Sequence, residues 1–212
     1  LIKNIPIITS TGSLDNFLLQ NSKLKNNKVK IGSVGRFSWE KNYQQIIAIA
    51  KKLKYQNQIK FEISIVGHGP YYKKIKTLIK ENSLEDTIFL EGEMINSEVI
   101  DFLNNLDIYI QTSISEGSPL TIKEAMASSL IVISSNVGGV NSLIKNNVDG
   151  FLVRKNDTDD FVKTILNVIN MQKDEKIAMG TKAREAVLDK FSPEKIAKNY
   201  FDHITTLLKE SN

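Results

Sequence analysis

Six short runs dominated by Ile, Val and Phe punctuate this chain, at Val29–Val34, Phe61–Val66, Ile88–Leu90, Ile108–Ile110, Leu130–Ile133 and Phe151–Val153. Their length and composition mark them as buried strands. Between them the period of the apolar residues changes. Tyr43, Ile46, Ile47, Ala50 and Leu53 form one helical stripe, and Tyr71, Ile75, Leu78 and Ile79 form another. Strand and helix in strict alternation leave one economical solution, a parallel sheet whose crossovers are helices packed on its faces. The expected fold is therefore α/β, a parallel six-stranded sheet with helices on both faces and no internal repeat.

The tail changes character. After Val153 only helical patterns follow, over roughly 158–171, 174–190 and 193–210. Ser192 and Pro193 read as a helix start, with a capping hydroxyl and a proline at the first helical position. Ile196, Tyr200, Ile204, Leu207 and Leu208 then form a stripe. The head is different again: Ile5–Ile8 reads as a short strand and 11–27 as a polar loop. The expected division is 1–27 as a leading strand and linker remnant, 28–190 as one α/β domain and 191–212 as a final helix. The chain begins with Leu1, and we expect it to be the C-terminal part of a longer protein.

Composition narrows the chemistry. With no cysteine, disulfides and thiolate metal sites are excluded, and a cytoplasmic setting fits. No apolar stretch approaches the ~18 residues that span a bilayer. The net charge of +4 comes from lysines spread along the chain, a solvated surface rather than a nucleic-acid patch, although it leaves a weak attraction to anionic lipid headgroups open.

The residues able to do chemistry follow the strands, where ligands sit in open α/β sheets. Gly35-Arg36 ends the first strand and Lys41 opens the next helix, a forked guanidinium and a point charge suited to a diphosphate. Gly67-His68-Gly69-Pro70 makes a tight turn after the second strand, in which His68 reads as structural. Leu90-Glu91-Gly92-Glu93-Met94 follows the third. The densest segment runs from Ser115 to Met126. There Glu116 lies in a loop, Gly117-Ser118-Pro119-Leu120 opens a helix, and Glu124 follows with seven residues between the two carboxylates. Ser118 is the expected N-cap and Pro119 the first-turn residue, so that free N–H groups face the loop and favour phosphate oxygens. Glu124 sits ~7.5 Å along the helix axis, where a carboxylate can take both hydroxyls of a ribose. Asp157-Thr158-Asp159 spells a D-x-D but precedes a helical stripe, so helix capping is its expected role, and no cluster has convincing metal spacing.

Taken together, Arg36, Lys41, the Glu116–Glu124 pair and the Gly138-Gly139 turn resemble the E-x7-E signature of the family-four retaining glycosyltransferases, over most of residues 28–210. The resemblance implies the C-terminal half of the two-Rossmann-domain GT-B architecture. It assigns Glu116 to the transferred sugar, Arg36 and Lys41 to the diphosphate, and Glu124 to the ribose. Gly35, Gly67, Gly117, Ser118, Pro119 and Leu120 would line the donor. Glu91, Gly92 and Met94 would offer backbone groups to the base. It also implies a final helix crossing back onto an N-terminal acceptor domain, no metal and no cofactor, and a nucleoside diphosphate sugar as substrate, uridine being the commonest base in the family. The implied setting is bacterial surface polysaccharide or glycoconjugate synthesis, in the cytoplasm or at the inner face of the membrane. The chain departs from the family at Asn141-Ser142, where many relatives have Pro-Glu, and at Ser128-Ser129. Two other readings stay open on the sequence: a non-catalytic nucleotide-sugar-binding half of a two-chain transferase, and a sugar-nucleotide epimerase of related architecture.

Overall fold

The computed structural model describes residues 28–56 and 59–191 and several residues of 195–205. The expected strand at Ile5–Ile8, the loop before residue 28, the Ser192-Pro193 helix start and His203 lie outside the described residues. Six parallel strands form one sheet: β1 (Val29–Val34), β2 (Phe61–Val66), β3 (Ile88–Gly92), β4 (Ile108–Gln111), β5 (Ile131–Ser135) and β6 (Phe151–Val153), in the order β3-β2-β1-β4-β5-β6. The crossovers carry α1 (Tyr43–Gln56), α2 (Tyr72–Glu81), α3 (Asn96–Asn104) and α4 (Leu120–Ala127). Then α5 (Thr158–Asn170) and α6 (Lys173–Phe191) follow β6.

Side-chain alternation along the strands sorts the core into two layers. Ile31, Ile63, Ile65, Ile108, Ile110, Ile131 and Ile133 point to one face, where α1, α2 and α5 supply Ile46, Leu53, Ile75, Phe161 and Ile165. Tyr109 and Val132 point to the other, against Leu103 of α3, Ile122 and Met126 of α4 and Val187 of α6. Strands buried on both sides need apolar residues at successive positions, which is why β4 and β5 read as unbroken runs. Burying each such side chain is worth ~1.5–3 kcal/mol.

The second face is covered only in part. In β2 the apolar Phe61, Ile63 and Ile65 alternate with the half-buried Glu62 and Ser64, and in β3 Phe89 and Glu91 are exposed. Burial on both faces is therefore complete in the middle of the sheet and one-sided along β2 and β3. The period-two pattern Phe-Glu-Ile-Ser-Ile already carries that signal. A groove of about 510 Å³ runs there, lined by Glu62, Ser64, Glu91 and Met94 with Glu98 and Asp101 of α3.

Element ends follow local chemistry. Asp157 caps α5 by accepting from the Asp160 N–H at 2.9 Å, the capping role expected for the D-x-D run. Helix α3 was not marked by a long stripe, but Glu98 closes its first turn by accepting from the Ile95 N–H at 2.9 Å. Strand β3 runs on to Gly92, so Glu91 lies in the sheet rather than in the loop after it. Of the last stripe, Tyr200 and Ile204 are helical and exposed.

Candidate active site

The strand order reverses between β1 and β4, the point at which the crossovers leave in opposite directions and open a crevice at the carboxyl edge of the sheet. The loops after these two strands are stitched together there. Ile114 N–H donates to Glu40 O at 2.7 Å, and the Thr112 hydroxyl lies 3.1 Å from the carbonyls of both Lys41 and Asn42. Asn42 permits this by closing a single 3-10 turn, Trp39–Lys41, in a left-handed conformation (φ 51°), which asparagine tolerates.

This stitching brings Lys41 to Glu116. Lys41 Nζ donates to Glu116 Oε1 at 2.7 Å, and the same oxygen accepts from Gln111 Nε2 at 2.7 Å and Ser113 Oγ at 2.6 Å. Three donors on one oxygen fix the carboxylate and leave Oε2 as its available acceptor. Gln111 is fixed in turn, its Oε1 accepting from the Tyr109 hydroxyl at 3.1 Å and from Thr121 Oγ1 at 3.2 Å. Burial holds the Tyr109 phenol well above its ordinary range, so it stays a neutral donor. Gln111, Ser113, Tyr109 and Thr121 were missed by sequence reasoning. The available signal was their place at the carboxyl end of β4 and in the first turn of α4.

Arg36 stands exposed in the loop after β1, and no side-chain hydrogen bond or ion pair engages it among the described residues. Gly35 lies beneath, its carbonyl accepting from the Tyr43 hydroxyl at 3.0 Å. Gly67 N–H donates to Gly92 O at 2.7 Å, and Gly35 N–H to Val66 O at 3.0 Å, so the ends of β1, β2 and β3 form one continuous edge. A Cβ on Gly67 would stand 2.1 Å from Gly35 O, and only glycine allows that approach. His68 is exposed and stacks on Tyr72 at 5.1 Å, while its carbonyl accepts from the Phe37 N–H at 3.0 Å. The Glu91 carboxylate accepts from Ser64 Oγ at 2.7 Å and, with Met94, faces the groove beside α3.

The helix start differs from expectation by one residue. Pro119, not Ser118, occupies the N-cap of α4 (φ −65°, ψ 113°), and no side chain caps the helix. Proline has no capping oxygen, and the Ser118 hydroxyl instead accepts from Lys123 Nζ at 2.7 Å. The first-turn N–H groups of α4 are thus left without a side-chain partner at the mouth of the crevice. Leu120 is exposed there, and Gly117 has open space on its side-chain face. The turn is braced from behind by Gly138-Gly139. Gly139 N–H donates to Glu116 O at 2.9 Å, and a Cβ on Gly139 would lie 1.7 Å from Gly117 O.

Glu124 is mostly buried on α4, and its carboxylate has no hydrogen-bond or ion-pair partner among the described residues. Burial alone pushes its pKa up to about 7. A desolvated carboxylate lacking donors is suited to a ligand that brings two hydroxyls. No group of three or more His, Cys, Asp or Glu side chains suited to a metal occurs among the described residues.

The family model for group 1 glycosyl transferases matches residues 15–186. The chain belongs to this family. It is 32% identical over 146 residues to the amylovoran biosynthesis glycosyltransferase AmsK of Erwinia amylovora, covering 66% of this chain and 36% of that protein. Over 189 residues it is 30% identical to the Escherichia coli UDP-Gal:alpha-D-GlcNAc-diphosphoundecaprenol alpha-1,3-galactosyltransferase, covering 85% of this chain and 47% of that one. Among solved structures, a mutant of Staphylococcus aureus TarM crystallised with UDP superposes with a TM-score of 0.76 at 26% identity, covering 88% of this chain and 38% of that one. The chain therefore spans less than half the length of each of these relatives. Its sheet is the Rossmann-like half of a GT-B glycosyltransferase, as the resemblance implied.

Proposed function

We propose that this group 1 glycosyltransferase chain is the donor-binding part of a retaining enzyme that transfers a sugar from a nucleoside diphosphate sugar to a hydroxyl acceptor. The observation that carries the reading is the meeting, at the reversal of strand order, of a fixed Lys41–Glu116 pair, an uncapped helix start and the donor-less Glu124 carboxylate. Glu124 takes the two ribose hydroxyls. Arg36, the remaining N–H donors of Lys41 and the N-terminus of α4 take the diphosphate, whose negative charge grows as the bond from the anomeric carbon to the phosphate oxygen breaks. Glu116 Oε2 accepts from the hydroxyls of the transferred sugar as that carbon becomes oxocarbenium-like. Glu116 Oε1 already accepts three hydrogen bonds, which makes the carboxylate a poor nucleophile and favours attack from the face the leaving group departs. The acceptor oxygen bonds to the anomeric carbon on that face, and its proton passes to the departing phosphate oxygen.

No metal enters this scheme and no cofactor is needed. Uridine is the base we favour, supported by the UDP-Gal in one relative's name and the UDP in another's crystals. The acceptor groups would come from the part of the relatives that this chain does not span, with the exposed Tyr200 and Ile204 offered to it. The names of relatives support a role in polysaccharide or glycoconjugate synthesis, and we place the protein in the cytoplasm or at the inner membrane face. No helix among the described residues is long and apolar enough to cross a membrane. Calorimetric titration of the chain with UDP, GDP and ADP, with magnesium and with EDTA, tests the reading. We expect metal-independent binding of UDP, lost in Arg36→Ala and Glu124→Ala; absence of binding to all three nucleotides would overturn it.

A further inference from the structure

Lys123 lies where a lysine side chain is rarely found. It is 3% exposed, and among the described residues no carboxylate pairs with it. It is the fourth residue of α4, and helical side chains lean toward the N-terminus, the end at which the helix dipole disfavours a cation. Lys190 adds like charge, and burial together with that charge depresses the ammonium's pKa. Among the described residues its compensation is a neutral hydroxyl, Ser118 Oγ at 2.7 Å, and the Phe191 ring at 4.3 Å. A buried charge without a counter-ion is costly, and departures of this kind from local rules are expected mainly at functional sites.

We propose that Lys123 is a positioning residue for the leaving diphosphate, acting through Ser118. A hydroxyl has one proton and two lone pairs. By donating to one lone pair, Lys123 obliges Ser118 to turn its own proton outward, toward a phosphate oxygen at the start of α4. Its charge, held beside Ser118 and the Phe191 ring, reinforces the same spot. The contact with Phe191 also ties the phosphate end of the site to the last turn of α6. This inference rests on the donor-site reading above and adds to Arg36, Lys41 and the α4 N-terminus a further group that favours phosphate over the bare nucleoside.

The test replaces Lys123 by an apolar side chain of similar length, Lys123→Met, and measures UDP, GDP, ADP and their nucleosides on the same chain by calorimetry, with thermal melting alongside. The bound nucleoside diphosphate should weaken by about tenfold or more, its nucleoside should bind as before, and the melting midpoint should hold or rise because an uncompensated charge has gone. Ser118→Ala should reproduce the loss, and combining the two changes should add little, as for residues acting as one unit. If the wild-type chain binds none of the three nucleotides, the donor-site reading falls. If it binds one and Lys123→Met binds it equally well, the role of Lys123 falls. A variant that melts earlier and loses nucleoside and nucleotide affinity together would make Lys123 structural and also overturn the proposal.

Discussion

Glu116 and Glu124 differ in what the chain gives them, and the difference sets what each change should do. Glu116 has one oxygen held by Lys41, Gln111 and Ser113, whereas the Glu124 carboxylate is desolvated and empty. Glu124→Ala should weaken nucleoside diphosphate binding by about tenfold or more. Glu116→Ala, assayed in the complete enzyme, should depress turnover and leave that binding nearly intact; equal losses of nucleotide affinity in both variants would refute the division of roles. The pKa of about 7 at Glu124 adds a pH dependence. The neutral acid can accept two ribose hydroxyls less well than the carboxylate, so affinity should climb from pH 6 to pH 8 in the wild type, and Glu124→Gln should flatten this component of the climb. Stability runs the other way. A carboxyl whose folded pKa is raised contributes fully below its unfolded value of 4.5, and that contribution is lost as pH rises through about 7. Thermal melts at pH 8 should show Glu124→Gln more stable than wild type, by no more than ~3 kcal/mol.

Helices and turns depend on a few supports that can be removed singly. Asp157→Ala deletes the cap of α5 and should cost about 1 kcal/mol in a denaturant titration, with nucleotide binding untouched. Gly139→Ala places a methyl 1.7 Å from Gly117 O, which must move the turn bearing Glu116. We expect a loss of about 1–3 kcal/mol together with weakened nucleotide binding, a pairing that a remote loop glycine would not show. Legibility also varies among the elements. Strand β4 was plain from Ile108-Tyr109-Ile110 because both its faces are buried, and α1 from a full apolar stripe. Helix α3 has too few apolar residues for that, and its start rests on Glu98, whose hydrogen bond to Ile95 N–H exists only once the turn forms. Ser118 was misplaced by one position for a related reason. Serine-proline spells a helix start, but the pull of the buried Lys123 ammonium on the hydroxyl comes from packing against α6.

For the whole molecule, the reversal of strand order between β1 and β4 matters most, because it opens the crevice and pairs Lys41, in the loop that also carries Arg36, with Glu116. This predicts a chain that binds nucleoside diphosphate without metal yet transfers little sugar alone; rapid transfer by the chain alone to its true acceptor would contradict the proposal that the acceptor groups come from outside it. The apolar periods sufficed for the α/β class, the six strands and their order along the chain, since burial on a sheet or a helix face is a matter of local spacing. The residue types at 36, 41, 116 and 124 sufficed for the family, since the resemblance is carried by particular side chains at fixed spacing. Contacts between distant positions were decided in three dimensions: the Lys41–Glu116 pair across 75 residues, the bracing of Glu116 by Gly139, the open face over β2 and β3, and the burial of Lys123. Each depends on which surfaces the sheet order brings together, and a local pattern has no means of encoding a neighbour that only folding supplies.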